Sequence, residues 1–267
     1  MELTELLGYL GALIVGLVLG LIGGGGSILT VPILVYFIGL NPVVATAYSL
    51  FVVGVTSVIG AYKNFKKGLV DVKTAIIFAI PAFIAVYITR RFLVPTIPDS
   101  VFTLAGFEVT KNIFIMLFFA IIMLLASFSM IKAKKNTQID NTTTKIKYNY
   151  PLIAIEGILV GALTGLVGAG GGFLIIPALV LLVKLPMKKA VGTSLLIIAA
   201  KSLIGFLGDL SNLNIDWPFL LIFTSISIVG IIIGMSLSKF ISGKKLKKGF
   251  GYFTLLMAVY IIYKELF

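Results

Sequence analysis

The sequence predicts an all-α integral membrane protein. It has two inverted-topology repeats, each a Gly-broken helical hairpin plus three transmembrane helices, for about 8–10 membrane segments. Three observations carry this. The chain is 59% hydrophobic and 12% charged, with a mean hydropathy of +1.14. One apolar segment occurs twice, at a constant offset of 145 residues and without a gap. The lysines cluster in a few loops, and those loops fall on one side of a membrane only if the second copy is turned over.

In order, the apolar segments run over 5–22, 27–39, 43–62, 72–93 and 112–131, then 151–168, 172–183, 187–207, 217–238 and 250–264. Several reach the roughly 20 residues that a helix needs to cross about 30 Å of hydrocarbon. Glu2 and Glu5 stand where a cleaved leader would be basic, so the first segment is expected to be retained. Taken as one helix, residues 5–39 would measure about 52 Å, too long for one ordinary span. Segments 27–39 and 172–183, at about 18–20 Å, are short for a crossing. Each half is therefore expected to open with a re-entrant hairpin whose glycine tip lies at mid-membrane.

The duplication is explicit. Gly16 to Pro32 (GLVLGLIGGGGSILTVP) lies over Gly161 to Pro177 (GALTGLVGAGGGFLIIP). The register then holds through Ala45/Ala190, Ser49/Ser194, Leu50/Leu195, Ser57/Ser202 and Gly60/Gly205, as far as Asp71/Asp216. Of the 47 paired positions from Gly16 to Tyr62, 17 are identical, which is too many for a chance match of apolar composition. The organisation expected is a first repeat at 1–131, a cytoplasmic linker at 132–150 and a second repeat at 151–267, within one membrane domain.

No Lys or Arg precedes Lys63, which places the N-terminus outside. Basic groups at Lys63–Lys73, Lys132–Lys147, Lys184–Lys189 and Lys239–Lys248 all become cytoplasmic if the hairpins enter and return. The loop with Asp209 and Asp216 then falls outside. Arg90, Arg91, Lys111 and Lys264 lie on the disfavoured side, and the two arginines are expected to snorkel from a helix end. Parallel repeats would put two strongly basic loops outside, so the charges favour inversion.

Composition also excludes chemistry. Without Cys there is no thiolate nucleophile or disulfide, and without His the commonest general base and transition-metal ligand is missing. No cofactor or metal is implied, and the chain does not read as an enzyme. The net charge of +12 belongs to cytoplasmic loops rather than to a nucleic-acid surface.

Residues Gly23-Gly-Gly25-Gly26-Ser27 and Gly168-Ala-Gly170-Gly171-Gly172 cannot face lipid as irregular backbone. Glycine permits positive φ and lets a ligand approach the main chain. A short helix is expected after each tip, with Pro32 and Pro177 near its first turn and Ser27 or Thr30 as a cap of the first. Its free N–H groups would favour an anion at the midplane. Gly16, Gly20, Gly161 and Gly165, at four-residue spacing, read instead as helix-packing positions.

Hydroxyls at Ser49, Thr193 and Ser194 open the next helix of each half. They can donate to an oxyanion without the cost of a buried charge, or bond back to the preceding turn. Lys201 is the one charge placed deep within an apolar span, and an intramembrane charge is a functional candidate that needs a partner. Its counterpart is Thr56, so it breaks the repeat. Glu156 is the carboxylate placed to respond to protonation, and proton or sodium coupling stays open.

The repeated G-x-x-x-G-x-x-G-x-G-G block reaching Pro32 and Pro177, the following Ser49-Leu50 and Gly192-Thr193-Ser194-Leu195, and the ending SLIGFLGD at Asp209 resemble the sulfite exporter TauE/SafE family. The resemblance covers essentially the whole chain. It implies a multi-pass transporter in a prokaryotic cell membrane that moves small sulfur-containing anions such as sulfite, sulfonates or sulfoacetate. Ala47-Tyr48-Ser49 departs from the pattern that Gly192-Thr193-Ser194 follows, so substrate contact is expected to rest more on the second half.

The expected function is therefore secondary transport by alternating access at a midplane anion site, with the lipid bilayer and a small anion as partners and no nucleic acid. The expected binding residues are Gly23, Gly25, Gly26, Ser27, Thr30, Ser49, Gly168, Gly170, Gly171, Thr193, Ser194 and Lys201. A passive anion channel is the alternative within transport. A lipid-headgroup enzyme and a structural membrane subunit are the alternatives outside it.

Overall fold

Capping residues and glycines set where the helices begin and stop. The computed structural model describes residues 3–24, 26–104, 107–132, 150–181, 183–238, 240 and 243–266. Gly25 and most of the 132–150 linker lie outside the described residues. The elements are α1 (Leu3–Ile22), α2 (Ser27–Pro32), α3 (Pro42–Lys66), α4 (Val72–Ile88), α5 (Val94–Thr96), β1 (Ser100–Leu104), β2 (Phe107–Thr110), α6 (Lys111–Ile131), α7 (Tyr150–Val167), α8 (Gly172–Leu181), α9 (Met187–Asp209), α10 (Trp217–Leu237) and α11 (Gly243–Leu266). Single π-helical turns extend α2 over Ile33–Phe37 and α4 over Thr89–Leu93.

Side-chain caps satisfy several helix starts. Asn41 accepts from the Val43 N–H, with Pro42 at the first helical position. Asp71 accepts from Thr74 N–H at 2.8 Å and Asp216 from Phe219 N–H at 3.1 Å. These two aspartates are 145 residues apart, so the capping is duplicated with the sequence.

Five helical stretches are long and apolar enough to cross a membrane: Pro42–Lys66, Val72–Thr96, Lys111–Phe128, Met187–Asp209 and Trp217–Leu237. Leu7–Ile22, Ser27–Phe37 and Pro151–Val167 are shorter apolar helices. The spans on α3 and α9 are each 67% buried against 39–44% for the other three, so this pair forms the centre. Around it, α1 packs on α10, α7 on α4, and α6 on α11.

The packing repeats with exchanged partners. A Cβ at Gly60 would touch Leu195 and Ile231, whereas one at Gly205 would touch Leu50 and Val86. Gly16 faces Ser227, and Gly161 faces Ala82. Every residue in the second member of each pair is offset by 145 from its counterpart in the first. Along α3, residues 50, 54 and 60 meet 205, 203 and 195 on α9, so the two central helices run antiparallel. The glycines at four-residue spacing let backbones approach: at Gly20 a Cβ would lie 2.8 Å from Met235 N.

Two expectations need correction. Pro32 and Pro177 are each the sixth residue of their helix, not in the first turn, because the helices begin directly after the glycine runs. Pro32 has no N–H to continue the α ladder, and the backbone passes into the π-helical turn at Ile33. The fold is mostly helical but not wholly so: β1 pairs antiparallel with β2 between α5 and α6. Val101, Phe102, Thr103 and Val109 supply the β-branched and aromatic residues for that hairpin.

Candidate functional site

Each glycine run ends one helix and turns the chain into the next. Gly23 N–H bonds Leu19 O at 2.7 Å, and Gly168 N–H bonds Thr164 O at 2.8 Å, closing α1 and α7 in the same way. Both glycines have left-handed backbone, with φ of +78° and +70°, where a side chain would be strained. Gly23 packs against Val191 and Gly168 against Thr46, another exchanged pair. The two runs then meet backbone to backbone: a Cβ at Gly24 would lie 2.6 Å from Gly172 Cα, and one at Gly170 would lie 3.1 Å from Ser27 Cβ.

The expected cap of α2 is absent. Gly26 occupies the N-cap in a right-handed helical conformation with no side-chain cap, and Ser27 Oγ donates instead to Gly24 O at 2.8 Å. Thr30 Oγ1 is buried and unpartnered among the described residues. At the start of α8, Leu174 and Ile175 N–H converge on Gly171 O at 3.0 Å each. That leaves the amides of Gly172 and Phe173 as the helix's outward donors.

Lys201 reaches this second tip. Its side chain is fully buried, and Nζ donates to Thr164 Oγ1 at 2.5 Å. Thr164 Oγ1 in turn donates a hydrogen bond to Val160 O at 2.6 Å. A Cβ on Gly171 would stand 3.1 Å from Nζ, so the ammonium lies against bare main chain. An ammonium has three donors, yet Lys201 makes one hydrogen bond to a side chain and no ion pair among the described residues. Lys201 therefore has donor capacity that no side chain among the described residues takes up.

The other expected hydroxyls separate into two groups. Ser194 Oγ lies at the first tip, 2.9 Å from Gly23 O and 2.8 Å from Val191 O. Its counterpart Ser49 is buried without a partner among the described residues, as are Ser57 and Ser202, themselves 145 residues apart. Thr193 faces elsewhere: its Oγ1 accepts from Asp71 N–H at 2.9 Å. Tyr48, 145 residues earlier, accepts from Asp216 N–H at 2.6 Å, so both positions tie a loop to a central helix.

Sequence reasoning found Lys201 but missed Thr164 and the Arg90–Asp209 pair beside the second tip. Thr164 replaces Leu19 of the first copy, and Lys201 replaces Thr56. Two departures from the repeat that fall on one contact were the available signal. Arg90, expected to snorkel outward, is instead fully buried. The π-helical turn at Thr89–Leu93 brings Thr89 and Arg90 inward together. Arg90 Nε reaches Asp209 Oδ1 and Oδ2 at 2.9 and 2.7 Å, and Nη2 reaches Oδ2 at 2.7 Å. Its Nη1 donates to Thr46 Oγ1 at 2.9 Å and to Gly165 O at 3.3 Å. Lys201 is thus not the only buried charge, but it is the unpaired one among the described residues.

Residues 8–261, covering both glycine runs and Lys201, match the family model described as sulfite exporter TauE/SafE. The chain belongs to the sulfite exporter TauE/SafE family. It is similar to a probable membrane transporter protein of Xylella fastidiosa (strain Temecula1), 30% identical over 256 residues that cover 94% of this chain and 92% of that one. It is likewise 30% identical over 273 residues to the probable membrane transporter protein YunE of Bacillus subtilis, covering 96% of each chain. A probable membrane transporter protein of Methanocaldococcus jannaschii is 37% identical over 117 residues, 42% of this chain. No solved structure matches. As a TauE/SafE protein with several apolar helices, the chain is a multi-pass membrane transporter.

Proposed function

We propose that this TauE/SafE protein is a secondary transporter of a small sulfur-containing anion of the sulfite, sulfonate or sulfoacetate class. The anion binds between the two glycine tips and is exposed to each face in turn. The observation that carries the reading is Lys201, fully buried, held by Thr164 against Gly171, and without a carboxylate partner among the described residues. A bound anion would supply the missing counter-charge, the amides of Gly172 and Phe173 would add donors, and Ser49, Ser57 and Ser202 on the central helices offer hydroxyls without a partner among the described residues. Gly23, Gly26, Ser27 and Ser194 form the opposing tip, Gly168 and Gly170 complete the nearer one, and Gly25 belongs with the first by sequence.

The antiparallel α3 and α9 and the exchanged contacts support inverted repeats. A two-fold axis along the membrane normal would make equivalent crossing helices parallel. The lysine-rich loops support a cytoplasmic location for the end of α3, and hence an N-terminus outside.

The test is anion binding by reconstituted protein, read by calorimetry across sulfite, sulfoacetate, methanesulfonate and chloride. Lys201→Met is expected to weaken binding of the preferred anion by about tenfold or more, the value of a lost hydrogen bond to a charge. Equal affinity would remove Lys201 from the site. Flux that saturates and shows counterflow supports a carrier, whereas flux that grows with voltage without saturating supports a channel.

A further inference from the structure

We propose that Arg90 and Asp209 form a gate that closes only one face of this transporter, the face on which α9 ends. The proposal rests on the carrier reading above. Arg90 is the largest fully buried side chain in the described structure, and its guanidinium joins four segments. It grips Asp209 at the end of α9 through Nε and Nη2, Thr46 near the start of α3 through Nη1, and the Gly165 carbonyl near the end of α7. Thr46 is also the residue on which Gly168 packs, so the cluster lies beside the second tip. Opening a path to the site from this face requires these segments to part, and parting them exposes the two charges to each other's loss.

The opposite face has the same architecture without the charges. At the 145-residue offset, Arg90, Asp209, Thr46 and Gly165 become Met235, Asn64, Val191 and Gly20. Asn64 Nδ2 donates within its own helix to Gly60 O at 2.9 Å, and Val191 meets Gly23 through apolar contact. Met235 packs against Gly20, with no polar link to Asn64 among the described residues. Each face has one loop tie, Asp71 N–H to Thr193 on one and Asp216 N–H to Tyr48 on the other. Beyond these, one face is held by an ion pair with three further hydrogen bonds from Arg90, and the other by van der Waals contact plus the Ser194 bond to Gly23 O. In the structure Ser49 and Ser194 are both fully buried, so neither face is open; the Lys63 face is the one that opens more readily.

The chain contains no cysteine, so single reporters need no background removal. Ser49→Cys lies one turn from Thr46, and Ser194→Cys lies one turn from Val191. Each is labelled in oriented vesicles with a membrane-impermeant methanethiosulfonate added to one face. In the otherwise unaltered chain, Ser194→Cys labels from the Lys63 face and Ser49→Cys is protected from the Asp209 face. Asp209→Asn is expected to raise Ser49→Cys labelling by about fivefold or more and to lower Ser194→Cys labelling, as a shifted two-state equilibrium requires. Thr46→Val removes one arm only and is expected to shift both rates in the same directions by less, which keeps the test readable if Asp209→Asn fails to insert. Building the pair on the other face, with Asn64→Asp and Met235→Arg in the Asp209→Asn chain, is expected to reverse the shift. Unchanged rates, or both reporters rising together, would overturn the gate. Equal labelling of both reporters from both faces before any gate substitution would overturn the carrier reading and the gate with it.

Discussion

Two residues make the second tip chemically distinct from the first, Lys201 and Thr164, and both lie against Gly171. At their counterparts the first copy has Thr56, Leu19 and Gly26, so the cation and its hydroxyl partner belong to one half alone. Gly171 holds φ of +73°, and a Cβ there would strike Thr164 and crowd the ammonium. Gly171→Val is therefore expected to abolish flux while membrane insertion, read by detergent-stable monodisperse protein, stays intact. Normal flux would return this glycine to a packing role. Gly39→Ala is a fitting control: its φ is also positive, yet open space surrounds it, so only about 1 kcal/mol of backbone strain is expected and transport is retained.

Between elements, the two loops preceding α4 and α10 are tied down in duplicate. Asp71 and Asp216 cap their helices, while Thr193 and Tyr48 accept the aspartates' own N–H groups. Thr193→Val leaves that donor unsatisfied and is expected to destabilise the protein by about 1–2 kcal/mol, seen as a lower melting temperature. Anion affinity should stay within about twofold, because the Thr193 hydroxyl faces the Asp71 loop rather than the glycine tips. A loss of affinity with unchanged melting temperature would place Thr193 in the site instead. Tyr48→Phe provides the matching lesion in the other half.

At the scale of the whole molecule, hydropathy and lysine placement give a topology that the missing cysteines make easy to check. Gly68→Cys, in the exposed turn after α3, and Asn212→Cys, in the exposed turn after α9, are expected to label from opposite faces, the first from the cytoplasm. Labelling from one face would refute inversion. Much of this architecture was legible because the chain repeats: the helix breaks, the short return helices and the packing glycines follow from sequence spacing alone. The Arg90–Asp209 pair was not, since 119 residues separate its members and neither counterpart is charged. The β1–β2 hairpin was missed because it occupies a connection between spans, where hydropathy carries no signal. The π-helical turns were hidden as well, although they decide which way Arg90 points.

The exchanged contacts have the geometry of a homodimer interface, in which the same patch meets itself across a two-fold axis. A true homodimer of half-length chains would have to place any ion pair at both ends of that axis or at neither. Joining the halves in one polypeptide lifts that obligation, since each end then mutates separately. The Arg90–Asp209 ion pair at one end, with Met235 and Asn64 at the equivalent positions of the other, is an asymmetry that two identical half-length chains could not carry.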